Sequence, residues 1–548
     1  MQSLAAYIAV LSWPLVTVFL FLRMPPGRAI VTTVVAGMLL LPASFGIDLP
    51  LFPALSRNTA PMWSALLCCV FAIGGARQSS GRGAGAQDSS QPLPGWLPKS
   101  PILLLLLLVL VTQPWITAAL NGTPAVYGPR VLPALKLYDG LVTMVGAVST
   151  VLPILLGRRY LARSEDHAMV LRILVFALLL YTVPILIELR LSPQIHRWVY
   201  GYFPTDFIQA IRGGGYRPMV LLGHGLTLTL LLALSIIAAS ALLRDAAPPD
   251  RRKGWTKLGW LGLILALCNS FGALLLAAFA TPVALFAKRS MQITIAAALA
   301  AMVLLYPLAR AYDVFPADRI VSMIGGDRGG SLQYRFANED ILLDKALQKP
   351  LFGWGGWARN RVFDPVFGWD LSVTDGSWVI ALGTGGLAGF IAVFGLLAAP
   401  VMMLWRYRNR PDLGPATAGL ALMLAINLVD LLPNSSMWPL TWLVAGMLVG
   451  RAELLQAERL AAVAQRRETP RRGLPAAQAP VAAQTAAVRT ARGRPGPEPR
   501  QPSPEPRQPS PEPRRSSPEP ERPARGAPVR PGLGGAAGRR GSPPTRRK

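Results

Sequence analysis

Apolar runs of about 15 to 25 residues, the length that carries a helix across a bilayer core, recur along the chain from its first residues. They fall near 5–22, 29–48, 61–75, 101–119, 138–156, 169–187, 218–243, 255–269, 271–287, 291–308, 376–405, 415–433 and 438–452. This pattern predicts an all-α polytopic integral membrane protein with about 13 transmembrane helices, in the range of roughly 12 to 14. The first run lacks a basic leader and a small-residue cleavage site, so it is expected to stay in place as a span. Residues 255–287 are too long for one ordinary span and basic on both flanks, which predicts two short helices meeting near Cys268–Gly272. The period changes at 331–348. There Leu332, Phe336, Leu343 and Leu347 share one helical face with Ile341 at its edge, the pattern of an amphipathic helix beside the membrane. Ser331 is placed to cap it, Lys349-Pro350 to end it, and Gly353, Gly355 and Gly356 to make a turn.

Composition agrees with a membrane protein and adds a puzzle. Hydrophobic residues make up 52% and charged residues only 15%, against roughly 25% charged in a soluble domain, which excludes an ordinary soluble enzyme. Yet 55 Lys+Arg oppose 28 Asp+Glu, a formal charge of +27. Where that charge sits separates nucleic-acid binding from a membrane-orientation signal. Arg77 and Arg82, Arg158-Arg159 with Arg163, Arg251-Arg252-Lys253, Lys288-Arg289 and Arg406 to Arg410 all lie between alternate spans. The positive-inside rule makes those segments cytoplasmic, with the N-terminus outside and the C-terminus inside. From residue 453 onward, 20 Lys+Arg against 8 Asp+Glu contribute +12 of the +27. That tail repeats Pro-Glu-Pro at 497–499, 504–506, 511–513 and 518–520, with no apolar positions for a coiled coil, and reads as an extended, disordered segment. No nucleic-acid partner is implied. The domain reading is 1–200, N-terminal spans; 201–452, a transmembrane core with a large external loop at 309–375; and 453–548, a cytoplasmic Pro/Arg-rich tail. Cys68, Cys69 and Cys268 lie in apolar runs with neither zinc nor disulfide spacing.

Two external loops run against the charge bias. Residues 188–217 hold Arg190, Arg197, Arg212 and Arg217, and residues 309–375 hold Arg319, Arg328, Arg335, Arg359 and Arg361. Arginines that topology does not require are candidates for function. His224 and Asp430 fall inside expected spans, where an ionisable side chain is a functional candidate by default. Asp139 and Glu188 lie near span ends and read as interfacial. Plain alternatives exist for the main candidates: Arg335 with Glu339 one helical turn on, Arg217 as an anchor at a span end, and Asp375 as a cap of the following helix.

These residues carry a resemblance. Ser331 and Arg335 on the amphipathic helix, then Pro350-Leu351-Phe352-Gly353-x-Gly355, then Thr374-Asp375-Gly376-Ser377-Trp378 leading into Leu382-Gly383-x-x-Gly386-x-x-Gly389, resemble the signature loop of the O-antigen ligase / O-antigen polymerase (Wzy-type) superfamily. Gly213-Gly214-Gly215-Tyr216-Arg217-Pro218 is similar to its first-loop arginine segment, Ser270-Phe271-Gly272-Ala273 to its Ser-Arg-Gly-Ala junction, and Asn427-x-x-Asp430 with Asn434 to its polar cluster at the outer end of a late span. The resemblance covers about 200–440, and the earlier spans by topology alone. It implies glycosyl transfer without a metal or other cofactor, on the periplasmic side of a bacterial inner membrane. The donor would be a glycan on undecaprenyl pyrophosphate. The acceptor would be another lipid-linked glycan for a polymerase, or lipid A core for a ligase; membrane lipids and other polysaccharide-assembly proteins are the implied partners. Arginine suits the leaving group, because its rigid fork matches phosphate oxygens. Arg217 and Arg335 would clamp the pyrophosphate, with Arg212 or Arg328 assisting and His224 and Asp430 as further binding candidates. The chain also departs from the pattern. Asp375-Gly376 stand where ligases carry His-Asn, so either Asp375 takes the role of catalytic base or the role is absent, and the change favours the polymerase group. Phe271 replaces the family arginine. A flippase for lipid-linked sugar is the rival from another class, but no internal repeat relates the two halves and the notable charges lie in external loops.

Overall fold

The computed structural model describes residues 3–50, 52–71, 91–212 and 215–468. The basic segment holding Arg77 and Arg82 and the chain beyond 468 lie outside the described residues. The described part is a helical bundle. In chain order it runs α1 (Leu4–Arg23), α2 (Pro26–Leu40), the hairpin β1 (Gly46–Leu49) and β2 (Phe52–Ser56), α3 (Ala60–Val70), α4 (Pro101–Leu120), the hairpin β3 (Ala125–Tyr127) and β4 (Arg130–Leu132), and α5 (Leu137–Tyr160). It continues with α6 (Ser164–Leu191), α7 (Ile195–Tyr200), the hairpin β5 (Ile211–Arg212) and β6 (Gly215–Tyr216), α8 (Gly225–Arg244), α9 (Pro248–Leu267), α10 (Phe271–Phe286) and α11 (Arg289–Ala311). The remainder is α12 (Ala317–Ile324), α13 (Gly326–Leu347), α14 (Ser377–Trp405), α15 (Pro415–Asp430) and α16 (Pro439–Glu468).

Seven of these helices are long and apolar enough to cross a membrane: α1, α4, α5, α6, α8, α11 and α14. Four shorter apolar helices, α2, α3, α10 and α15, accompany them. Each of the thirteen apolar runs in the sequence overlaps a helix, but the span expected at 29–48 ends with α2 at Leu40 and runs on into β1, residues 72–75 of the run at 61–75 lie outside the described residues, and 255–287 divides into α9 and α10 as its length and flanks require. α8 and α15 are apolar all round and buried over almost their whole length, so they form the centre of the bundle. Elsewhere small residues let backbones meet, the usual way helices associate where lipid removes the hydrophobic drive. A Cβ on Gly446 of α16 would sit 2.1 Å from the Ile154 carbonyl of α5, and one on Gly157 of α5 would sit 2.4 Å from the Leu443 carbonyl of α16.

α14 is broken. Gly386 has φ 64° and ψ −166° inside it, a conformation open to glycine and strained for other residues. The break strands backbone groups at membrane depth, where each must find a partner. The loop after α13 supplies them. Trp354 and Gly355 donate their N–H groups to Gly383 and Thr384 carbonyls at 2.8 and 2.9 Å, while Leu387 and Ala388 donate to Pro350 and Leu351 carbonyls at 2.7 and 3.0 Å. The two glycine motifs noted in the sequence are thus halves of one joint. α4 supports it with Asn121, whose amide donates to the Gly353 carbonyl at 3.1 Å, and with Thr117, which donates to the Phe352 carbonyl.

Three expectations need correction here. The span expected at 218–243 starts as a helix only at Gly225, since Pro218 lacks an N–H and Val220 and Gly223 have φ 50° and 81°. His224 is therefore not inside a span but at the N-cap of α8. Glu188, read as interfacial, is fully buried: its carboxylate accepts from the N–H groups of Ile195, Met219 and Val220 at 3.0, 2.8 and 2.8 Å, satisfying the irregular turn. A smaller difference concerns α13, which begins at Gly326, so Ser331 lies within the helix instead of capping it.

Candidate functional site

α13 is fixed before its arginine is. Glu339, 5% exposed, accepts from Tyr306 Oη of α11 at 3.0 Å and from Trp378 Nε1 of α14 at 3.3 Å. Arg310 of α11 approaches the same carboxylate at 3.8 Å and pairs with Asp340. Burial pushes the Glu339 carboxyl up to about 7, against the pull of these donors. With α13 bolted to α11 and α14 in this way, Arg335 one turn earlier faces a cavity of about 550 Å³. Asn338 completes the frame by accepting from the Val373 N–H at 2.8 Å, which brings the chain before α14 alongside α13.

The cavity joins four of the residues singled out in the sequence: Arg217, His224, Arg335 and Asp375 all line it. Arg335 donates through Nη1 to the Pro433 carbonyl and to Asn434 Oδ1 at 3.1 Å, and its Nε lies 3.9 Å from Asp375 Oδ2. Glu339 is committed to α11 and α14, so it is not the partner of Arg335. Asp375 is not the cap of α14 either; the N-cap is Gly376, with no side-chain cap bond. Arg217 follows the β5–β6 hairpin and donates to the Asn269 carbonyl at 3.2 Å, between α9 and α10. Its stem crosses the start of α8, where a Cβ on Gly225 would lie 2.3 Å from Arg217 Cδ, so glycine is what lets the arginine through. His224 Nδ1 accepts from the Leu226 N–H at 3.1 Å, which leaves the neutral ring with its proton on Nε2. The N-terminus of α8, with Leu226 and Thr227 in the wall, adds its positive dipole end to the two guanidinium groups.

Asp430 stands behind the wall rather than in it. It is 8% exposed and accepts from Asn434 Nδ2 at 3.0 Å, so it orients the amide that holds Arg335. The side chains of Arg212 and Arg328 lie outside the described residues. Gln209, Tyr334, Ser435 and Ser436 line the cavity and were not legible as site residues. Single polar residues in a short turn, in a loop or on the polar face of α13 carry no signal of their own, and only their tertiary neighbours reveal them. Among the described residues no group of three or more His, Cys, Asp or Glu is placed to hold a metal ion.

A larger cavity of about 930 Å³ lies between α4, α11, α13, α14 and α16, lined by Leu106, Leu304, Leu382, Phe390 and Met402. It is greasy along its length, with Lys99, Arg406 and Glu453 at one end and Leu347 and Pro350 at the other. It has the character of a lipid-facing cleft and carries no constellation for group transfer. The chemistry sits in the smaller, polar cavity. No protein-family model, curated protein or solved structure matches the chain.

Proposed function

We propose that this chain is a polymerase-type membrane glycosyltransferase that moves a glycan from a lipid pyrophosphate donor to a lipid-linked glycan acceptor outside the cytoplasmic membrane. The observation that carries this reading is the meeting of Arg217 and Arg335, from two separate loops, at the N-terminus of α8 with Asp375 beside them. In the topology this reading adopts, thirteen spans place that cavity on the periplasmic face of a bacterial inner membrane and the tail in the cytoplasm. The donor's pyrophosphate lies between Arg217, Arg335 and the first turn of α8, where the guanidinium forks and the helix dipole compensate its charge. The acceptor hydroxyl gives its proton to Asp375 as its oxygen bonds to the anomeric carbon. The bond from that carbon to the pyrophosphate oxygen breaks, and lipid pyrophosphate leaves with the bonding pair. Arg335 stabilises the charge that develops on the leaving group, an interaction strongest in the transition state. No metal enters this scheme. The apolar cleft between α4 and α14 suits the chain of a lipid-linked substrate.

Two other readings remain distinct. A ligase would deliver the glycan to lipid A core, and losing it would leave long lipid-linked polymer unattached. Losing a polymerase leaves single repeat units. A transporter draws on the break in α14, since broken spans build transporter sites; here, however, the freed backbone groups are bonded to the 350–355 loop instead of facing a midplane site. The deciding experiment is Arg335→Ala in membranes with normal protein level. Chain extension should stop at single repeat units, and wild-type polymer lengths would overturn the assignment.

A further inference from the structure

A further cavity, of about 240 Å³, with a few polar side chains set in mostly apolar walls, lies between α4, α5, the first half of α14 and the turn that follows the 350–355 loop. At roughly 30 Å³ per water it has the volume of about eight waters, the size class of one sugar ring. Gln113, Asp139, Thr143, Gly356, Trp357 and Thr384 line it. None of these belongs to the arginine cavity.

The backbone goes to some length to present Trp357. It and Ala358 have φ 57° and 60°, the left-handed region that side-chain-bearing residues seldom occupy in succession. Bonds on both sides enforce the turn. Gly355 donates its N–H to the Thr384 carbonyl at 2.9 Å, and the buried Arg359 donates to the Pro133 and Thr123 carbonyls at 2.8 and 3.0 Å. The outcome is an indole 65% exposed whose Nε1 donates to Asp139 Oδ1 at 3.1 Å. Asp139 is itself held, since its other oxygen accepts from the Lys136 N–H at 2.7 Å. An aromatic face and a carboxylate are thus locked at a fixed mutual orientation, with hydroxyl and amide groups around them.

The charge of the lining selects the ligand. Asp139 is its one ionisable side chain, and no arginine, lysine or histidine lines the cavity, so a phosphate or uronate would be repelled. A lone carboxylate does not make a metal site. Asp139, Thr143, Thr384 and Gln113 each hold a partner within the fold, and their remaining acceptor capacity is met by the hydroxyl groups of a ligand and not by a lipid chain. What fits is a neutral ring with an apolar face for the indole and hydroxyl donors for Asp139, Thr143, Thr384 and Gln113. We propose that the cavity bounded by Trp357 and Asp139 is a binding site for a neutral saccharide ring.

Binding here does not depend on the transfer chemistry, and the test keeps the two apart. The full chain in lipid nanodiscs is mixed with glucose, galactose, N-acetylglucosamine or rhamnose at millimolar concentration, with glucuronate as the charged counterpart. Saturation transfer from protein to sugar is read by NMR. At least one neutral sugar should receive saturation. The signal should fall about tenfold in Trp357→Ala, which removes the stacking face. It should fall as far in Gly356→Leu, which fills the cavity from a position where an added Cβ meets nothing within 4 Å. Arg335→Ala should leave it unchanged, even where chain extension is lost. The proposal is overturned if no neutral sugar receives saturation or if both cavity variants match wild type. It is equally overturned if Arg335→Ala abolishes the signal, which would place the sugar among the arginines, or if glucuronate binds as well as the neutral sugars.

Discussion

Arg158 and Arg335 are the same residue type at opposite ends of the bundle, and their surroundings differ in kind. Arg158 is 1% exposed at the side chain. Its Nε and Nη2 meet Glu453 Oε2 at 2.9 and 2.7 Å, and its Nη1 donates to the Gly95 carbonyl at 2.9 Å. Its neighbours behave alike: Arg451 donates to the Asp412 carbonyl at 3.0 Å, and Arg410 grips the Asp412 carboxylate through two bonds of 2.9 Å. Arg335 is 25% exposed at the side chain, bonded to an uncharged carbonyl and an amide, with the nearest carboxylate oxygen 3.9 Å away. A guanidinium neutralised by a tight carboxylate is a staple. One positioned mainly by neutral acceptors keeps more of its charge for a ligand, which on the proposed reading is the donor's pyrophosphate.

The sharpest way to break this comparison is to truncate both arginines. Arg335→Ala should drive chain extension below detection, a loss of at least about a hundredfold, while the protein still melts near the wild-type temperature. Arg158→Ala should do the reverse. It leaves Glu453 buried without its partner, a defect of about 3 to 5 kcal/mol seen as lower Tm and lower membrane yield. If the two variants lost the same property, the distinction between staple and site would fail. Asp375→Asn sharpens the reading of the cavity: transfer should slow by about a hundredfold with donor binding kept, measured as a fall in kcat at little-changed KM. Full activity in that variant would remove the base.

The smallest effect concerns the bolt under Arg335. The folded value of the Glu339 carboxyl, about 7, lies above its ordinary value of 4.5, so proton binding favours the folded state. That contribution is complete below about pH 4.5 and is lost as the pH rises through about 7. Tm should fall between about pH 5 and about pH 8, and Glu339→Gln should flatten the slope. A slope unaltered by the substitution would assign the effect to another group.

The helices were legible because lipid imposes one requirement on every span, a long apolar run, and hydropathy records it directly. The amphipathic helix was legible for a similar reason, since Leu332, Phe336, Leu343 and Leu347 repeat with the helical period. Joints were harder. Nothing along the chain announces that Gly386 breaks α14 or that residues 350–355 mend the break, because the bonds involved join residues 29 to 37 positions apart. His224 and Glu188 were misplaced for one reason. An apolar stretch was read as continuous helix, where Glu188 instead satisfies an irregular turn before α8. Asp430 was picked as an intramembrane carboxylate, and the fold gives it the task of orienting Asn434.

By itself the sequence determined that the chain has the apolar helices of a multi-pass membrane protein and where they lie, and it singled out the arginines between them as candidates, since hydropathy and charge act residue by residue. Only the tertiary structure decided which of those arginines meet. Arg217 and Arg335 are 118 positions apart, and their convergence depends on Gly225 admitting one stem, Glu339 anchoring the helix that carries the other, and Asn434 fixing its direction. Such contacts are set by packing between distant segments, and no local pattern encodes them.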